Sequence, residues 1–165
     1  MARRDWIQKV KIPIMILKLK IGGQKHNAEI AMLSMRDWKE INDNVEENMW
    51  EILLDLFGDM TQEQLKALPQ EKQDEIAAER GKKLMRKFNY GMQLAMFHQS
   101  LKRWEPDITE EQVDNLISYG VEDMKDHWDA INFMMQGISV EDVRTEIVKN
   151  QKSEEETTTT SETVQ

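Results

Sequence analysis

The chain reads as a mainly α, α+β domain: a helical body carrying a small N-terminal β-hairpin and ending in a disordered acidic tail. Three observations predict this. Apolar and polar residues alternate on either side of Gly22-Gly23, which is the period of a half-buried strand. Four later segments begin with the residues that start helices, and each is followed by apolar residues at spacings of three and four. The last fifteen residues, "QKSEEETTTTSETVQ", offer almost nothing to a core. The predicted organisation is one domain over 1–150, with a hairpin at 9–31 and a helical body at 34–150, followed by a tail at 151–165.

The first strand is predicted over 9–21, where Lys18 and Lys20 alternate with Leu17, Leu19 and Ile21. Pro13 belongs at its entry or on an edge, because it has no N–H to donate to a ladder. Gly22-Gly23 supplies the positive φ angles of a two-residue turn, and "HNAEI" resumes the alternation. No helix or lysine follows those glycines as a phosphate loop would require.

Ser34, Thr61, Thr109 and Ser139 are N-cap candidates, with Asp37, Gln64, Gln112 and Asp142 three places on. Apolar pairs bracket each one: Leu33 with Trp38, Met60 with Leu65, Ile108 with Val113, and Ile138 with Val143. The predicted helices are 35–57, 62–68, 70–103, a short one from Thr109, 121–136 and 139–150. Between the third and fourth, Glu105-Pro106-Asp107 stops one helix, because the residue before proline avoids the helical region, and Thr109 starts the next. This stretch is read as a joint whose carboxylates cap and solvate.

A formal net charge of -9 argues against generic nucleic-acid binding, so no nucleic-acid partner is expected. The charge is divided along the chain. Residues 1–30 carry +5, residues 31–150 carry -11 and residues 151–165 carry -3. Arg80, Lys82, Lys83, Arg86 and Lys87 form a basic cluster, read as the counterpart of the acidic run Asp74–Glu79. The longest apolar run, Ile12–Leu17, is too short to span a bilayer, and the start lacks the cleavage pattern of a signal peptide; no membrane partner is expected. With no cysteine in the chain, disulfides and thiolate chemistry are excluded, and a cytoplasmic protein is the expectation.

Asp123 and His127 stand four apart on a predicted helix and form the one metal candidate, set against the plainer reading of a solvated helix face. His98 near Glu105 and Asp107 has no nucleophile motif beside it, so the chain is read as non-enzymatic and without a cofactor. Twelve methionines fit either adaptable binding surfaces or ordinary core filling. In 121–136, Val121, Met124, Trp128, Ile131 and Met135 fall on one stripe, which leaves Phe133 and Met134 off it. Trp50 and Phe57 lie beside the main stripe of 35–57. Trp50, Phe57, Phe133 and Met134 are therefore the expected partner-binding patch.

The segment "LAMFHQSLKRWEPDITEEQVDNLI" resembles the corresponding joint in the tail assembly chaperones of long-tailed bacteriophages. The hairpin "ILKLKIGGQKHNAEI", the restart "LSMRDWKEI" and the acidic end are arranged similarly, so that the likeness covers roughly residues 15–137. The resemblance implies a non-enzymatic protein of the host cytoplasm, absent from the mature virion. It would bind the tape-measure protein and recruit the major tail-tube protein during virion assembly, and self-association is compatible with that role. The other reading is a helical scaffold, adaptor or regulatory module with different partners.

Overall fold

A computed structural model describes residues 11–58 and 60–161, with the side chains of Phe57, Gln62 and residues 155–161 left out. The predicted strand residues 9 and 10 and the tail residues 162–165 lie outside the described part.

Strands β1 (Ile14–Ile21) and β2 (Gln24–Ala31) form an antiparallel hairpin in the register Ile14↔Ala31 to Ile21↔Gln24. Gly22 and Gly23 have φ of 58° and 81°, a turn in which side chains bearing Cβ are disfavoured. The inward row of Leu17, Leu19 and Ile30 is buried, while Ile14, Ile16, Lys18 and Lys20 face outward. The pleat thus follows the alternation in the sequence.

Among the described residues eight α-helices follow: α1 (Met35–Asn44), α2 (Met49–Phe57), α3 (Gln62–Lys66), α4 (Gln70–Lys87), α5 (Tyr90–Leu101), α6 (Glu110–Asn115), α7 (Met124–Met135) and α8 (Val140–Ser161). A π-helical turn, Leu116–Gly120, extends α6. The fold class is as expected, mainly α with a small N-terminal hairpin. All four predicted starts hold: Ser34, Thr61 and Thr109 make complete capping boxes, and Ser139 exchanges the same pair of bonds with Asp142. One core joins the inner face of the hairpin to α1, α2, α5, α7 and α8, centred on Trp38, Leu53, Met96, Phe97 and Ile131.

Two predicted helices are each broken in two. The run 35–57 opens at Val45, and Asn48 caps α2 by accepting from the backbone N–H of Trp50 and Glu51. The run 70–103 opens at Phe88, and Asn89 caps α5 through the N–H of Met92. Apolar spacing carries on across both breaks, so periodicity alone does not mark them. The determinant is a single asparagine whose short side chain competes for backbone N–H groups.

The face of α7 also differs from the expectation. Its buried residues are His127, Ala130, Ile131 and Met134, whereas Met124 is exposed. The helix is turned so that a histidine takes an inward place reserved in the sequence reading for apolar groups. Finally, α8 continues through Ser161, eleven residues beyond its predicted end at 150. Lys149 pairs with Glu146 in its middle, and residues 148–154 are exposed, so the extension as far as 154 is helical without covering the core.

Candidate functional site

The expected patch does not form. Trp50 is 2% exposed and Met134 0%, both within the core, and Phe133 is half-buried and packed against it. The side chain of Phe57 lies outside the described residues. Trp50 joins Met49, Leu53 and Leu56 in the buried side of α2, and Met134 turns inward because the α7 stripe is rotated. Met135, its neighbour, lines a groove of about 630 Å3 between α4 and the α7–α8 connection, together with Leu56, Leu65 and Ile138.

Asp123 and His127 do not converge. The Asp123 carboxylate caps α7 by accepting from the N–H of Lys125 at 2.9 Å. The His127 ring is buried, sits 2.8 Å from the Gln93 amide oxygen through Nε2, and lies 5.2 Å from the Phe97 ring centre. Burial lowers the pKa of this imidazole below 6.5, so the neutral form, its Nε2–H donating to Gln93, suits the site. Among the described residues no three His, Asp or Glu side chains gather as a metal would need. No described helix is long and apolar enough to cross a membrane.

The joint at 102–109 behaves as a joint. Trp104 and Glu105 donate their N–H groups to the Leu101 carbonyl, which closes α5, and His98 Nε2 lies 2.9 Å from the Ile108 carbonyl, which ties the far side back to the helix. Beneath it, Arg103 and Gln99 reach the Asp37 carboxylate. Burial pushes that carboxyl upward, but bonds from the Ser34 backbone and hydroxyl, Arg103 and Gln99 outweigh it, and its pKa ends below 3.8. One aspartate therefore caps α1 and fastens α5 to it.

Beyond this joint lies an open apolar groove. Lys20, Ile21 and Gly22 at the hairpin tip form one wall; Ile108, Gln112, Leu116 and Tyr119 form the other; Glu105 and Asp107 stand at one end. It encloses about 670 Å3. Tyr119 is 83% exposed, and Ile21 and the adjacent Trp104 are also exposed. Local sequence dictates the geometry. Gly120 lets the π turn approach the sheet, since a Cβ there would stand 3.3 Å from Leu19 Cδ2. The π turn widens the backbone where Tyr119 projects, a distortion common at functional sites.

Polar contacts hold this wall in place. The Tyr90 hydroxyl at the start of α5 donates to Asp114 and lies 3.0 Å from the Ser118 hydroxyl. Burial, with Asp114 alongside, raises the Tyr90 pKa, which keeps the phenol protonated and the bond intact. On the hairpin side, Lys20 pairs with Glu122 at 3.2 Å. The result is a groove whose apolar lining of Ile21, Ile108, Leu116 and Tyr119 is bordered by Glu105, Asp107 and Lys20, chemistry suited to binding an apolar segment with charged flanks.

Sequence reasoning placed none of its patch residues here. The available signal was Tyr119 just before Gly120, but with no recognisable period for a π turn it reads as a helix end. Comparison with known proteins returned no matching family model, no similar curated protein and no similar solved structure.

Proposed function

We propose that the protein is a non-enzymatic tail assembly chaperone, which binds the tape-measure protein and recruits tail-tube subunits in the host cytoplasm without entering the mature virion. The observation that carries this reading is the groove between the hairpin tip and the π turn, where Ile21, Ile108, Leu116 and Tyr119 offer apolar surface beside Glu105 and Asp107. A long helical client exposes amphipathic stripes before assembly, and a shallow groove of this kind would hold one turn of such a stripe reversibly. The likeness of the 94–117 joint and its surroundings to that family supports the same assignment.

The test is affinity capture of the tagged full chain from its native cellular context, with the co-purifying proteins identified by mass spectrometry. Recovery of a very long, helix-rich protein together with a tail-tube protein is expected, and Tyr119→Asp with Ile21→Asp should abolish it while the circular dichroism stays unchanged. Capture of the chain alone, or of metabolic or nucleic-acid-bound proteins, would refute the chaperone reading. A different set of structural partners would identify a scaffold or adaptor instead.

A further inference from the structure

The backbone of β1 has two sides, and the register assigns each residue to one of them. Met32 donates its N–H to the Pro13 carbonyl at 3.1 Å, which makes Pro13 and Met32 a hydrogen-bonded pair. Such pairs alternate along an antiparallel ladder, so Met15, Leu17, Leu19 and Ile21 also turn their N–H and C=O toward β2. Ile14, Ile16, Lys18 and Lys20 turn theirs the other way. On β2 the same alternation points Ala31 outward, and the structure verifies it: the Ser100 hydroxyl accepts from the Ala31 N–H at 2.7 Å and donates to the Ala31 carbonyl at 2.9 Å.

No described residue performs the corresponding service for β1, whose outward N–H and C=O groups have no partner among the described residues. The side chains along this edge are apolar where it is most open. Ile12, Ile14 and Ile16 form a row, with Ile14 42% and Ile16 45% exposed. Only toward the tip does the row become basic, at Lys18 and Lys20, and there Glu122 already reaches Lys20. Pro13 does not block pairing, because its missing N–H is on the β2 side. An open edge carrying isoleucines is a template for another strand.

We propose that β1 pairs antiparallel with β1 of a second copy, across a two-fold axis at Ile14, to give a four-stranded sheet. The edge is self-complementary in this register. Ile14 faces Ile14 of the second copy, and Ile12 faces Ile16, so the apolar row is continuous across the interface. Lys18 and Lys20 of each copy fall outside the row of facing isoleucines, and no lysine opposes another. A two-stranded sheet is marginal alone, and two further strands complete it.

Light scattering coupled to size-exclusion chromatography of the full chain, over about a hundredfold range of concentration, tests this. The expected mass rises from that of one 19.5 kDa chain to twice that value. Ile14→Pro removes an N–H that β2 does not use, and Ile16→Lys sets a charge against Ile12 of the second copy; each should leave a monomer with unchanged circular dichroism. Met15→Pro removes an N–H that β2 does use and should unfold the hairpin instead. A chain that stays monomeric throughout overturns the proposal and leaves the edge to a strand from another protein. A dimer that survives both Ile14→Pro and Ile16→Lys overturns it as well.

Discussion

The two strands of the hairpin have the same length, yet among the described residues the fold meets an outward backbone pair on only one of them, at Ala31 of β2. β2 lies against α5, and a single buried hydroxyl, Ser100, satisfies both backbone groups of Ala31. β1 turns Ile14 and Ile16 outward with neither a helix nor a hydroxyl among the described residues to meet them. Buried backbone groups demand partners within the chain, whereas exposed ones can wait for water or for another chain. The closed edge is therefore where substitutions should cost stability, and the open edge is where they should cost association.

The largest effect is expected at the closed edge. Ser100→Ala strands a buried N–H and a buried C=O, at about 3 kcal/mol, since each orphaned group costs roughly 1–3 kcal/mol. Thermal denaturation should show a melting temperature lower by about 10 °C for a chain of this size. Ser100→Thr, which restores the hydroxyl, should recover part of the loss. A change within about 0.5 kcal/mol for the alanine variant would mean that water reaches Ala31 and that both edges are open.

Next comes the turn that holds the strands in register. Gly23→Ala, at a φ of 81°, should destabilise by about 1 kcal/mol in a denaturant titration. Open space surrounds that position, so backbone strain alone sets the cost. An unchanged midpoint would show that the turn relaxes to another conformation.

The helices behind the sheet add a pH dependence. Because burial lowers the His127 pKa below 6.5, the unfolded chain binds the proton more readily than the folded one. The contribution is fully present above pH 6.5 and declines as the pH falls through that value toward the folded pKa. Urea titrations should show this decline in the native chain and not in His127→Gln, after allowance for the overall loss in that variant. The smallest effect on the fold belongs to the open edge, where Ile16→Lys should stay within about 0.5 kcal/mol while removing self-association. A loss of several kcal/mol would mean that this face is covered within the monomer.

Much of this was legible in the sequence where one residue type enforces one conformation. Gly22-Gly23, the four hydroxyl caps and the stop at Pro106 all act over a few residues, so neighbouring letters reveal them. The breaks at Asn48 and Asn89 were not legible, because apolar spacing continues through each and an asparagine inside a helix looks the same until it caps. The inward placement of His127 depends on Gln93, thirty-four positions away, and no local pattern reports such a partner. Trp50 and Met134 are read as available for binding because each lies off the stripe that apolar spacing singles out, whereas both are buried in the core. The groove at Tyr119 rests on a π turn, and the open edge on hydrogen-bond parity, neither of which hydrophobic periodicity encodes.

The most direct test of an open β1 edge beside a β2 edge closed at Ala31 is residue-resolved amide hydrogen exchange on the full chain, dilute and concentrated. The Ala31 amide should be protected in both conditions, while those of Ile14 and Ile16 should exchange freely when dilute and become protected when concentrated. Protection of Ile14 and Ile16 in the dilute monomer would show that the chain closes its own edge. Free exchange at both concentrations would show that no second copy pairs there. Either result would contradict the account.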